Sequence, residues 1–286
     1  MKLISYGKIN LFLNIVGKRK DNYHNIETLI QRVDLMDELE LHVDKTYKGI
    51  EVNITCNKPY VPLDNKNLCY KACNWFMEKY NLQGRVNIHI NKNIPISAGL
   101  GGGTSNGAEI IKALNNIYDL NISISKLSQD SVVLGADFPY CITGGTVLCE
   151  GIGEKLTNVK SFSNNVIVIV KPDFGFDTKS VYENFNIENI KYNANKNNMI
   201  DCLNKEDFYG VCNNICNVLE LSSVQGMDTI KYIKSELIKL GAINSSMSGS
   251  GSSVYGIFNN LYVAQKSYDY LKKYYNEVYI TRTINL

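Results

Sequence analysis

Residues Pro95–Glu109 gather the groups in this chain best suited to hold an anion. They read Pro-Ile-Ser-Ala-Gly-Leu-Gly-Gly-Gly-Thr-Ser-Asn-Gly-Ala-Glu, with glycines at 99, 101, 102 and 103. Upstream, Val86–Ile90 alternates apolar and polar residues as a half-buried strand does. Downstream, Ala108, Ile111, Leu114 and Tyr118 recur at the spacing of one helical face. A glycine run opening a helix leaves backbone N–H groups converging at the positive end of the helix dipole, and phosphate is the anion such a place most often holds. Thr104 and Ser105 add hydroxyls for a phosphate oxygen or for Mg²⁺. The same composition also describes an ordinary strand-to-helix turn, and local sequence leaves both readings open. Two familiar schemes do not fit. No lysine ends the run as a Walker loop requires, and Thr104 or Asn106 falls where a dinucleotide fingerprint needs its third glycine. Phosphate binding here would use bare main-chain amides.

Three other positions carry chemistry. Residues 3–16 alternate as a strand that places Lys8 and Asn10 on one side, a pattern that for an isolated lysine is more often a solvated edge face than a site. The basic stretch Gly17–His24 reads as a polar turn with Asn22 in a left-handed conformation, ended by Tyr23 and His24; a lone histidine is usually structural, yet one in a turn after a basic cluster is a fair ligand contact. Asp137 stands between Gly135 and Pro139. Local evidence favours a turn-capping role, while Tyr140, Cys141 and Ile142 make surroundings in which a carboxylate needs a partner.

The elements that must position these groups are mixed strands and helices in both halves, an α+β architecture. Leu35–Val43 and Gly49–Ile54 read as a hairpin, Cys69–Tyr80 as a helix, and Ile124–Leu134 as a helix capped by Ser125. Thr146–Cys149 and Val166–Val170 read as strands, and Met227–Leu240 as an amphipathic helix ended by Gly241. Residues 186–205 read as an irregular surface excursion, and 245–253 as a Gly/Ser-rich loop before the strand Val254–Phe258. A helix over 262–275 and a last strand over 277–283 complete the chain. The 286 residues suit two domains, divided as 1–155 and 156–286.

Composition narrows the function. A net charge of +2 is too balanced for a nucleic-acid binder, and no apolar run is long enough to span a membrane. The eight cysteines lack a Cys-x-x-Cys pair. Cys69/Cys73 and Cys212/Cys216, each four apart in helix-like segments, read as reduced core thiols, as in a cytoplasmic protein.

Three segments together resemble the galactokinase, homoserine kinase, mevalonate kinase and phosphomevalonate kinase (GHMP) superfamily. They are Gly7-Lys-Ile-Asn-Leu-Phe-Leu13 running on to Tyr23-His24 and Asp34–Leu39, then Pro95–Asn106, then Met247-Ser-Gly-Ser-Gly-Ser-Ser253. The resemblance runs through nearly the whole chain, weakest over 185–225. Its Lys-Ile-Asn-Leu start and Tyr-His ending resemble the branch whose alcohol substrate carries cytidine diphosphate. The resemblance implies a two-domain kinase, with an N-terminal half sharing its fold with a ribosomal-protein domain, a ferredoxin-like C-terminal half, and an active site in the cleft between them. It implies ATP and Mg²⁺ as cofactors, a small-molecule acceptor, and no nucleic-acid or membrane partner.

Carried over residue by residue, the resemblance has Pro95, Ile96, Ser97, Ala98, Gly99, Leu100, Gly101, Gly102, Gly103, Thr104 and Ser105 wrap the ATP phosphates, with Thr104 and Ser105 near Mg²⁺. It makes Asp137 the catalytic carboxylate and Lys8 its cationic neighbour. Asn10, Tyr23 and His24 would face the cytidyl group, with Thr178 and the Tyr182 ring against the base. Asn67, Leu68 and Lys92 would lie by adenosine, and Met247–Ser253 would buttress the phosphate loop. The chain departs from the usual pattern at Gly7, Asn22, Thr104, Asn106, Gly107 and Tyr182. Of these, Asn106 removes a charge many relatives carry, and Gly107 lowers helix propensity by up to about 1 kcal/mol against alanine. A homoserine or mevalonate kinase, and a non-catalytic RNA-binding module, are the competing readings.

Overall fold

The computed structural model describes residues 1–20, 23–190 and 195–285, so the turn expected at Asn22 lies outside the described residues. The chain forms two compact units, each assembled from separated stretches. The first comprises Met1–Gly7, Leu35–Ile94 and Gly101–Thr143, and the second Lys8–Asp34, Pro95–Leu100 and Gly144–Leu286. Strands β1 (Lys2–Lys18) and β2 (His24–Asp44) each contribute to both.

In the first unit the chain continues through β3 (Ile50–Cys56), α1 (Leu68–Lys79), β4 (Gly84–Asn91), α2 (Gly102–Ile117), α3 (Ile124–Asp130) and α4 (Phe138–Thr143). The expected hairpin between 35–43 and 49–54 does not form. β4 lies between β2 and β3, antiparallel to β2 over Glu38–Asp44 and parallel to β3 along its length. A parallel neighbour needs a crossover, and α1 supplies it. Asn67 caps α1 by accepting from the Cys69 N–H at 2.8 Å. Cys69, Ala72, Cys73, Phe76 and Met77 form the buried face of that helix. Burial there pushes the Cys73 thiol up to about 12, so it is inert at neutral pH. Ser123, rather than Ser125, caps α3, because Ser123 holds the extended conformation that a cap needs and Ser125 is already helical.

The second unit adds β5 (Thr146–Gly151), β6 (Lys155–Asn158), β7 (Val166–Lys171), α5 (Thr178–Glu183), α6 (Lys196–Asn204), α7 (Phe208–Asn213) and β8 (Cys216–Asn217). After them come α8 (Met227–Lys239), β9 (Asn244–Met247), β10 (Val254–Phe258), α9 (Leu261–Leu271) and β11 (Glu277–Arg282). The order β11-β7-β10-β9 makes an antiparallel sheet. Its core joins Val168, Val170 and Phe258 to Ile230, Ile233 and Leu237 of α8, Ala264 and Leu271 of α9, and Leu13 and Ile15 of β1. β5 pairs antiparallel with β2 over Ile26–Gln31, and β8 pairs parallel with β1 at Phe12 and Leu13.

Three expectations are corrected in this unit. Part of 186–205 is the helix α6, capped by the Asn195 side chain and burying Met199 and Leu203; its asparagines hide the pattern. Residues 244–247 are a strand, with Ser245 and Ser246 buried because their hydroxyls bond inward, Ser245 to the Tyr255 carbonyl at 2.9 Å. Cys216 lies in β8 rather than in a helix with Cys212. The eight cysteines are free thiols. No described helix is long and apolar enough to cross a membrane.

Candidate active site

The glycine-rich segment is a sequence of left-handed turns feeding a helix. Ser97, Gly99 and Gly101 have φ of 49°, 73° and 68°. A Cβ on Gly99 would fall 2.0 Å from the Ser248 carbonyl oxygen, so no other residue fits. Gly101 is the N-cap of α2 and caps it with no side-chain hydrogen bond, so the first-turn amides of a four-turn helix stay available to an anion. A Cβ on Gly102 would lie 2.8 Å from Lys92 Nζ, which keeps the backbone bare at that point. Gly103 is exposed and Thr104 half-buried, while Ser105 is buried and donates its hydroxyl to the Tyr6 carbonyl at 2.7 Å. Its oxygen keeps lone pairs, but its proton is committed.

Lys92 is buried and tied to Asp37, a fully buried carboxylate, at 2.5 Å. Asp37 also accepts from the Asn93 and Ile94 N–H groups at 2.7 Å each, which sets the chain just ahead of the loop. Asp37 falls within the first motif, but nothing in its local pattern marked it as a partner of Lys92. Asn67 has both ends of its amide occupied, by the α1 cap and by a 2.6 Å bond to the Pro62 carbonyl. Leu68, the first residue of α1, lies against Gly103, 3.4 Å from where a Cβ would stand.

Asp137 is half-buried and directly precedes α4, where its carbonyl accepts from the Cys141 N–H at 3.0 Å. Gly107 meets that turn: a Cβ there would lie 2.9 Å from the Phe138 ring and 3.0 Å from the Leu68 carbonyl. The glycine that weakens α2 locally is thus what lets Phe138, beside Asp137, pack on it.

In the second unit, Lys8 and Asn10 are buried rather than on a solvated edge. Lys8 Nζ donates to Asn10 Oδ1 at 2.8 Å, Asn10 Nδ2 to Thr28 Oγ1 at 2.8 Å, and Thr28 Oγ1 to the Phe12 carbonyl at 2.7 Å. The Lys8 N–H donates to the Leu100 carbonyl at 2.9 Å, joining β1 to the glycine segment. Gly249, at φ +55°, abuts the pair: a Cβ on it would lie 3.1 Å from Lys8 Nζ and 3.3 Å from Asn10 Oδ1. The Met247–Ser253 segment does pack on residues 98 and 99. Ser248 Oγ donates to the Gly99 carbonyl at 2.9 Å and the Ser253 N–H to the Ala98 carbonyl at 3.1 Å. Pro95, Ala98 and Leu100 are buried beside it, whereas Ile96 and Ser97 are exposed.

Thr178 opens α5 and its hydroxyl lies 2.9 Å from Ser250 Oγ. One turn on, the Tyr182 ring stacks on His24 with centroids 5.4 Å apart. Burial, and then the nearby Lys18 charge, holds the His24 pKa below the ordinary imidazole value. Tyr23 is 60% exposed. The structure therefore brings Lys8, Asn10, Gly249, Ser250, Thr178, Tyr182 and His24 into one run of contacts in this unit, and Asn67, Leu68, Lys92 and Gly101–Ser105 into another in the first.

The GHMP kinases N terminal domain matches residues 67–145 and the GHMP kinases C terminal domain matches 199–277. A 4-diphosphocytidyl-2-C-methyl-D-erythritol kinase of Clostridium novyi is 48% identical over 98% of this chain and 99% of its own. The enzyme of that name from Clostridium beijerinckii is 45% identical over 99% and 100%. A crystal structure of 4-(cytidine 5'-diphospho)-2C-methyl-D-erythritol kinase superposes with a TM-score of 0.81 at 26% identity, covering 99% of both chains. Homoserine kinase from Cytophaga hutchinsonii shares the fold, at TM-score 0.75 and 19% identity. The chain belongs to the 4-diphosphocytidyl-2-C-methyl-D-erythritol kinase family of GHMP kinases.

Proposed function

We propose that this enzyme phosphorylates the 2-hydroxyl of 4-diphosphocytidyl-2-C-methyl-D-erythritol at the expense of ATP, in the cytoplasmic non-mevalonate route to isoprenoid precursors. The observation that carries the nucleotide half of this reading is the start of α2, where Gly101 leaves the first-turn amides uncapped and Gly102 leaves no Cβ in front of Lys92. That donor set fits a polyphosphate without a lysine-tipped loop. ATP supplies the phosphoryl group, and Mg²⁺ with it would neutralise charge, with the Thr104 hydroxyl and the Ser105 oxygen as protein contacts.

The chain's own residues then have separate tasks. Within Pro95–Ser105, which wraps the phosphates, the free main-chain N–H groups of the first turn of α2 are the donors, and they need no reorganisation as charge shifts. Leu68 offers an apolar wall to adenosine, Asn67 fixes the start of α1, and Lys92 is a buried cation held by Asp37. Asp137 orients the acceptor hydroxyl and takes its proton late, since a loose transition state asks little of the nucleophile. Lys8 offsets negative charge on the transferring group while Asn10 fixes its amine. His24 and Tyr182 receive the cytosine, with Thr178, Asn10 and the exposed Tyr23 around the cytidyl group. Stacking of this kind contributes roughly 1–3 kcal/mol per base in nucleic-acid complexes.

The test is ADP release measured with the cytidyl erythritol, homoserine and mevalonate as acceptors. Turnover is expected with the first alone, competitively inhibited by CDP. Comparable turnover with homoserine or mevalonate, untouched by CDP, would move the chain to another branch of the superfamily.

A further inference from the structure

Asn217 lies within the stretch that matches the GHMP kinases C terminal domain, and none of the roles above falls to it. It is 2% exposed and sits in β8, in register with Leu13 of β1. Its amide is fully engaged. Nδ2 donates to the Met247 carbonyl at 2.9 Å and to the Gly249 carbonyl at 2.7 Å, while Oδ1 accepts from the Leu219 N–H at 3.0 Å. Three residues on, Glu220 takes hold of the same segment, accepting from the Met247 N–H at 2.8 Å and Ser246 Oγ at 2.9 Å, and it pairs with Lys234. The buried Tyr255 hydroxyl donates to the Asn10 carbonyl at 2.9 Å, from the strand that follows this loop.

These bonds converge on one contact. Gly249 is the residue of the loop that abuts Lys8 Nζ and Asn10 Oδ1, and Asn217 holds the Gly249 carbonyl. Ser248 and Ser253 tie the buried loop to Gly99 and Ala98, Glu220 holds Met247, and the Asn217 amide, donating twice to the loop's main chain, is the side-chain restraint on the Gly249 carbonyl itself. We infer that Asn217 is a positioning residue for phosphoryl transfer, holding Gly249 against the Lys8–Asn10 pair so that the lysine amine stays aimed. This rests on the reading that Lys8 serves the reacting phosphate.

Asn217→Asp tests it. The carboxylate keeps the acceptor for Leu219 but sets oxygen against the Met247 and Gly249 carbonyls. CDP titration by calorimetry counts binding-competent sites, and turnover is expressed per such site, so a loss of folded protein does not enter. The expected result is a fall in kcat of between about tenfold and a hundredfold, with CDP affinity within about twofold. Lys8→Met is measured alongside, and the double variant should lose little more than Lys8→Met alone. Gly249→Ala approaches the same contact from the loop and should reproduce the kcat loss where Asn217→Asp fails to fold. Parental turnover per CDP-binding site in either folded variant, or additive losses in the double variant, overturns the inference. A Lys8→Met enzyme with parental turnover would instead sink the reading beneath it.

Discussion

Asp137→Asn keeps the size and hydrogen-bonding reach of the side chain while removing its charge and its capacity to take a proton. Turnover should drop at least about a hundredfold with ATP still bound, checked by steady-state kinetics beside calorimetric titration of the nucleotide. Near-parental turnover would take the aspartate out of the reaction. His24 offers a test in pH. Burial first, and the Lys18 charge second, depress its pKa, so the unfolded chain binds that proton more readily than the folded one. Its contribution to stability is whole above the unfolded midpoint of about 6.5 and is lost as pH falls through that value towards the folded midpoint. NMR titration of the imidazole should show a midpoint below that of a free histidine; a midpoint above it contradicts the assignment. At this scale the sequence was only partly legible. Lys8 and Asn10 could be seen to share a side of their strand, but not that the side was buried, because the groups covering it come from Thr28 and Gly249, far off in the chain. Asn217 was invisible for the same reason: one asparagine among many, distinguished only by which carbonyls it meets.

Among the elements, α2 shows how packing overrules propensity. Alanine at position 107 would favour the helix by up to about 1 kcal/mol. Its Cβ would press on a buried Phe138 ring at 2.9 Å and on main chain at 3.0 Å, and overpacking of that kind costs about 1–3 kcal/mol. Gly107→Ala should therefore lower the denaturation midpoint, and a raised midpoint in urea melts would show that Phe138 yields freely. Periodicity found α1, α2, α8 and the strand β7 because each has a continuous apolar face of its own. It missed α6, whose buried face is little more than Met199 and Leu203, and it misread β9, whose inward side chains are serines satisfied by hydrogen bonds. The false hairpin has another cause. Alternation marks where strands are but says nothing of their neighbours, and β4 enters between β2 and β3 only after α1 has crossed over.

For the whole molecule, the α+β class was legible from the mix of strands and helices in both halves and the kinase family from three motifs, while which stretches pack together is set by long-range contacts that motifs do not carry. Each unit draws on segments that are neighbours in space and strangers in sequence. A fragment of residues 156–286 lacks Leu13 and Ile15, both buried in the core that β7, α8 and α9 share. Expressed alone it should keep far-UV circular dichroism but lose near-UV signal and bind ANS. A cooperative melt would show that the remaining side chains suffice. The five crossings between units also impose an order on biosynthesis. Every residue of the first unit has left the ribosome once Thr143 has, while Lys8–Asp34 and Pro95–Leu100 must wait for partners still to be translated. The nascent chain thus carries Lys8 and Pro95–Leu100 ahead of later partners such as Asn217, Ser248 and Ser253, so the glycine segment gains its last supports only as the final part of the chain emerges.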